Sequence, residues 1–348
     1  MKHLFVVHSN ISYLAALGTI CVENLNLDDV IITSRIDLNI KEPVPVVCLP
    51  FVFDKRHPWD WWVLHPYGYV DRFIKKHIGD EPFIAYIEIM EMSSKLFVSN
   101  PLCVGYHFIE EGASAHVKGT VRTDIEYNDF NTPAESLRYM SLRDRVKSII
   151  ILMCGMSMRN LSLPFFYDAY FRLKDVVFYG FGEDSFKEAH RKKELFWDDI
   201  IHRFLLPKRY KLSDSSIWLG ICCDEAGIGI PISEYISGIE KKCITHLVSN
   251  GVNNVYIKHH PRATIELRKQ EVGVFEKAGI NVVTIEDNVC MEIELLGENN
   301  VSIYMLQTSL FYYARQMGHR KIYSIANYFP EYMGRCALDD MWDEVTML

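Results

Sequence analysis

"HLFVVHSNISYLAALGTICVENL", residues 3–25, joins an unbroken apolar run to a segment with helical spacing. Residues 3–9 read as a strand covered on both faces, because an edge or half-solvated strand would alternate apolar with polar residues. Residues 11–25 carry apolar side chains at three- and four-residue intervals and read as a helix. A strand feeding a helix is the opening of a parallel α/β layer. The rhythm continues in strand-like runs at "DDVIITS" (28–34), "VPVVCLP" (44–50), "FIAYIEIM" (83–90) and "LCVGYHFI" (102–109), separated by polar or helical stretches. It restarts at "SIWLGICC" (216–223). An amphipathic helix "ISEYISGIEKKCITHLVSNG" (232–251) and the strand-like "NVYIKHHP" (254–261) follow. Helix, strand, helix, strand and helix then continue at 264–279, 281–285, 290–297, 301–306 and 308–318. Residues 118–213 are less regular and rich in aromatic and basic side chains, with "RFLLPKRYKL" (203–212) reading as a linker or surface arm.

The bulk composition bounds the function. A chain of 348 residues, 49% hydrophobic and 24% charged, can bury a large core and divide into two domains. The net charge of -8 argues against a dedicated nucleic-acid binder, which carries a basic face. Nine cysteines without a C-x-x-C pair or zinc spacing fit reduced thiols in a cytoplasmic protein. The N-terminus has too little apolar length for a signal peptide. The longest apolar run, "SIIILMCGMSM" (148–158), falls short of the roughly 20 residues that span a bilayer.

Ligands of open α/β sheets bind beyond the carboxyl ends of the strands, so polar residues just after strand-like runs are the ones to collect. Four groups qualify: His8, Ser9 and Asn10; Glu110 and Glu111; His259, His260 and Arg262; Thr308 and Ser309. Each has a plainer reading, as a solvated loop, a His-Pro turn or a helix cap. The acidic pair also fits a base, since a like-charged neighbour lifts a carboxylate's proton affinity, and Gly112 would let a substrate approach. No Asp-x-Asp metal signature is present, and no metal is expected.

In order, "FIEEGASAH", "YIKHHPRA", "MEIELL" and "LQTSLFYYARQMG" resemble the acidic-acidic-Gly, His-Pro, ribose-binding Glu and Ser/Thr-Ser motifs of bacterial sialyltransferases. The group resembled contains the lipooligosaccharide sialyltransferases and capsular polysialyltransferases. The likeness runs to about residue 320, with the middle third unassigned; Thr308 departs from a strict Ser-Ser pair. It implies an α/β fold of GT-B type, two Rossmann-like domains facing a central cleft. Residues 1–212 would form the acceptor side, 213–327 the nucleotide side, and 328–348 a helix crossing back to the first domain. It implies inverting, metal-independent transfer of sialic acid from CMP-sialic acid, with no cofactor, to a hydroxyl of a lipopolysaccharide, O-antigen or capsule glycan.

In this scheme Glu110 is the base with Glu111 beside it, and His260 meets the donor phosphate together with Thr308 and Ser309. Glu292 or Glu294, the former favoured, takes the ribose hydroxyls. Gly112 lines the donor site, and Ser9 and Asn10 touch acceptor or donor. A cytoplasmic enzyme is expected, held near the inner membrane by 148–158, preceded by Arg143, Arg145 and Lys147, and by "PKRYK" (207–211); the plainer reading of both is core helix and linker. A nucleotide-sugar epimerase or hydrolase of the same shape and a non-catalytic glycan-assembly subunit are the alternatives. Acceptor, linkage, processivity and oligomeric state have no readable code.

Overall fold

The computed structural model describes residues 1–34, 43–49, 64–88, 100–116, 176–187, 191–223, 229–330 and 344–348, together with residues 38, 97, 98, 142, 146, 149 and 189. The chain separates into two compact units, Met1–Leu205 and Leu206–Leu348.

The first unit is built on a seven-stranded, wholly parallel sheet of β1 (Lys2–Val7), β2 (Val30–Ser34), β3 (Val46–Cys48), β4 (Phe83–Ile87), β5 (Cys103–Ile109), β6 (Phe178–Phe181) and β7 (Lys192–Leu195). Its order is β3-β2-β1-β4-β5-β6-β7. Helices α1 (Asn10–Val22), α2 (Leu64–His77) and α3 (Trp197–Arg203) accompany it. The opening run behaves as its composition requires. Leu4 and Val6 enter one core with Phe73, Phe83, Phe97, Phe108 and Phe178, while Phe5, on the opposite face, stacks on Tyr86 at 4.2 Å. Both faces of β1 are therefore dry. Arg203, at the end of α3, donates from its guanidinium to the carbonyls of Ile20 (2.7 Å) and Leu25 (2.5 Å), satisfying acceptors at the carboxyl end of α1.

The second unit repeats the plan with six parallel strands, β8 (Ser216–Leu219), β9 (Asn254–Lys258), β10 (Asn281–Ile285), β11 (Ser302–Met305), β12 (Lys321–Ser324) and β13 (Thr346–Met347), ordered β10-β9-β8-β11-β12-β13. Helix α4 runs as Ile232–Gly238, a π-helical turn over Ile239–Ile244, and Thr245–Ser249. Helices α5 (Ile265–Lys277), α6 (Met291–Leu295) and α7 (Leu310–Gln316) follow. Trp218, Tyr235, Leu247, Ile257, Leu267 and Phe275 fill its core.

Strands β6, β7 and β12 and helix α3 are additions to the elements read from sequence. The run at 83–90 gives a strand that ends at Ile87. Arg143, Arg145 and Lys147 and nearly all of 148–158 lie outside the described residues, as do 331–343 of the expected return helix; residues 346–347 pair with β12. Of the basic stretch 207–211, Lys208 is paired with Glu298 at 2.7 Å and Arg209 with Glu286 at 2.7 Å. No described helix is long and apolar enough to cross a membrane.

Candidate active site

In each sheet the strand order reverses beside the first strand, between β1 and β4 and between β8 and β11. Such switch points open a crevice at the carboxyl edge of a parallel sheet.

At the first switch point His8 directly follows β1 and Glu88 directly follows β4. Ser9 caps α1, its hydroxyl accepting from the Ser12 amide at 3.1 Å in a reciprocal capping box. The same hydroxyl lies 3.0 Å from the carbonyl of Glu111, to which it donates, tying the β5 exit to α1. Asn10 is the first residue of that helix. Glu88 is buried, at 1% exposure. One of its oxygens accepts the His8 backbone N–H at 3.0 Å, and the other pairs with His8 Nδ1. The apolar run 83–90 reads as strand to its end, which hides Glu88 among the strand residues.

The Glu110–Glu111 pair divides. Glu110 has no exposure; its Oε1 pairs with His116 Nε2 at 2.7 Å, and its Oε2 accepts from the Phe181 amide at 2.7 Å and the Ser185 hydroxyl at 2.8 Å. Gly180 makes room, since a Cβ there would fall 2.9 Å from Glu110 Oε2 and 2.5 Å from the Ser185 Cβ. Glu111 is half-buried, and its carboxylate groups with His8 and Glu88, the three donor atoms lying within 4.8 Å of one another. The carboxylate gathered with that of Glu111 is thus Glu88. That spacing would also admit a divalent cation, although His8 Nδ1 is already committed to Glu88. Gly112 follows with φ of 153°, a conformation that favours glycine, and open space where a side chain would stand.

The second unit places the other motifs at its own carboxyl edge. His259 is buried and pairs through Nδ1 with Glu271 of α5 at 2.6 Å; Glu271 also accepts from the Tyr235 hydroxyl at 2.9 Å and Trp218 Nε1 at 3.3 Å. His260 is half-buried, and its Nδ1 accepts the Arg262 amide at 3.2 Å. In the neutral ring the proton therefore sits on Nε2, making that atom a donor. Arg262 itself is exposed.

Glu292 and Glu294, two apart on α6, part as helical geometry requires. Glu294 is buried and accepts the backbone amides of Arg209 (3.0 Å) and Tyr210 (2.9 Å), which occupies it structurally. Glu292 is reached by the Cys290 thiol at 3.2 Å, and burial raises its carboxyl above the usual range. Burial also lowers the nearby Lys258 ammonium, which donates to the carbonyls of Glu286 and Asp287. Thr308 Oγ1 accepts the Leu310 amide at 3.3 Å, a turn-capping bond; Ser309, exposed, makes no side-chain cap.

No protein-family model and no curated protein matches the sequence. Among solved structures, a sialyltransferase from Photobacterium damsela is similar over 100% of this chain and 81% of its own, with a TM-score of 0.53 at 11% identity. A structure of the GT-B domain of the Photobacterium damselae sialyltransferase is similar over 100% of both chains, with a TM-score of 0.52 and 11% identity. Two parallel α/β sheets with these neighbours make the fold GT-B.

Proposed function

We propose that the protein is an inverting, metal-independent glycosyltransferase moving sialic acid from CMP-sialic acid to a glycan hydroxyl. The observation that carries this reading is placement. All four sequence motifs fall beyond the carboxyl ends of parallel strands, at β5, β9, β10 and β11. That is the edge at which open α/β sheets bind ligands. The GT-B fold and the order of the motifs support the same reading.

The chemistry asks for three things that the residues can supply. The acceptor oxygen forms a bond to the anomeric carbon as the bond from that carbon to the phosphate oxygen breaks, and CMP leaves with the electron pair. A donor must meet the charge growing on the phosphate, for which His260 Nε2–H is suited, with Thr308 and Ser309 beyond the end of β11 in the same sheet. Glu292, the acidic residue of α6 not committed to backbone amides, would take the ribose hydroxyls. A base at the carboxyl edge of the first sheet must take the acceptor's proton. The acceptor is a galactoside or sialoside of a surface glycan, lipid-linked where the enzyme works beside a membrane.

The test is incubation with CMP-sialic acid, with and without galactosides, following CMP release and glycan mass. Acceptor-dependent CMP release with a matching mass gain is expected. Release of CMP and free sugar without acceptor would indicate a hydrolase or epimerase. Neither release nor transfer would leave a non-catalytic subunit.

A further inference from the structure

We infer that His8, held by the buried Glu88, is the base that takes the acceptor's proton; this rests on the transferase reading above. Three carboxylates and two imidazoles gather at the carboxyl edge around the first switch point, and burial sets Glu88 and Glu110 apart from His8. Glu110 is closed in by His116, Ser185 and the Phe181 amide, with no exposure. The Glu88 side chain likewise has 0% exposure, and both its oxygens are engaged by His8, one by the backbone N–H and one by Nδ1. Neither can reach an acceptor without dismantling its own bonds. The His8 side chain is 37% exposed.

The clamp by Glu88 also decides which ring nitrogen is reactive. An ionised carboxylate only accepts, so Nδ1 must carry the proton in that contact, and Nε2 keeps its lone pair. No described residue bonds to Nε2. The His8 backbone is fixed at the same time, its N–H shared between Glu88 (3.0 Å) and Ser12 Oγ (3.1 Å). An oriented imidazole with a free acceptor nitrogen and a buried carboxylate behind it is the arrangement a general base needs. In the reaction the acceptor O–H proton passes to Nε2 as the oxygen bonds the anomeric carbon. The imidazolium so formed is met by Glu88, and CMP departs with the electrons of the broken bond. Glu88 is a positioning residue; Glu111, within 4.8 Å of both, adds negative charge on the side where the positive charge appears.

The experiment combines three readouts on the full chain. Nitrogen-15 NMR of the His8 ring, assigned by its loss in His8→Ala, should show a protonated Nδ1 and an unprotonated Nε2. Calorimetry should show CMP-sialic acid binding unchanged within about threefold in His8→Ala, while kcat at saturating donor falls by about 10²–10⁴. Free imidazole should restore part of that rate, which a merely structural histidine would not permit. Glu88→Gln should lose kcat and shift the ring proton toward Nε2; if that variant does not fold, His8→Ala carries the test. Wild-type kcat in His8→Ala, or an Nε2-protonated ring in the wild type, overturns the proposal while the transferase reading stands. Absence of donor binding and of transfer by the wild type overturns the transferase reading, and this one with it.

Discussion

The carboxylate of Glu271 accepts from His259 Nδ1 at 2.6 Å and lies against the backbone of Gly220, where a Cβ would fall 2.7 Å from its Oε1. Four elements, β8, the β9 exit, α5 and, through Tyr235, α4, are joined through this one buried acid. Removing it leaves His259, Tyr235 and Trp218 without their acceptor. Glu271→Ala is expected to destabilise the second unit by about 3–5 kcal/mol, and Gly220→Ala by about 1–3 kcal/mol, measured by denaturant unfolding. Wild-type midpoints in both would show that the network does not support the fold.

Adjacent histidines should fail differently. His260→Ala is expected to lose roughly 10² to 10³ in kcat with CMP-sialic acid, as removal of a preorganised donor does, and to stay as stable as the wild type. His259→Ala should lose stability first, because it strips Glu271 of its buried partner. Circular dichroism melts beside saturating-donor kinetics separate the two; equal kinetic losses would remove the phosphate role from His260.

On α6 the contrast is between substrate affinity and folding. Glu292→Ala should raise the donor KM with a smaller effect on the acceptor KM. Glu294→Ala should lower stability by about 1–3 kcal/mol through the Arg209 and Tyr210 amides left unpaired. Because burial raises the Glu292 carboxyl, the folded state holds that proton more tightly than the unfolded state. Its contribution to stability is therefore fully present below the ordinary value of 4.5 and lost as pH rises through the raised value. Stability titrations of wild type and Glu292→Gln should diverge in that sense; a divergence of the opposite sign would mean the ionised form is favoured by folding.

Glu298 gives the opposite sign. Burial pushes its carboxyl up, but Lys208 and the Ser213 hydroxyl and amide outweigh it and bring it to about 2. Its contribution should be complete above the ordinary 4.5 and disappear as pH falls toward about 2. Glu298→Gln should flatten the acid limb of the stability curve. An unchanged limb would leave the Lys208 pair without consequence for folding.

Chelation tests the first switch point. Full transfer activity is expected in excess EDTA, since the proposed phosphate contacts come from protein donors. A strict requirement for magnesium or manganese would turn attention to His8, Glu88 and Glu111 as a cation site.

The strands that begin each half were readable because parallel, doubly covered strands are written as unbroken apolar runs, as in "LFVV" and "SIWL". The carboxyl-edge rule collected His8, Glu110, Glu111 and His260 for the same reason. It missed Glu88 because "YIEIM" continues apolar past the point where pairing stops at Ile87. It also missed His116, in the short helical turn Ala113–His116 just after Glu110, and Ser185, whose relation to Glu110 depends on β6, a distant strand embedded in aromatic sequence without a clear period. Local pattern encodes an element; which side chains converge at its end is decided by pairing between distant strands. The two glutamates of α6 were separable in principle by helix geometry, but only the position of the Arg209–Tyr210 backbone decides which one it consumes.

Each sheet draws all its strands from its own side of the Leu205–Leu206 boundary. The order of synthesis can therefore become an order of folding. All seven strands of the first sheet have been translated while the second sheet is still being made, and at about 5–20 residues per second that interval lasts on the order of ten seconds. The nascent chain can spend it with Glu88 and Glu110 already enclosed. The second sheet has no such head start: its central strand β8 is made early, yet must wait for β11, and its edge for β13, before its apolar faces are covered. During translation, exposure to chaperones and proteases should accordingly concentrate in the later half of the molecule.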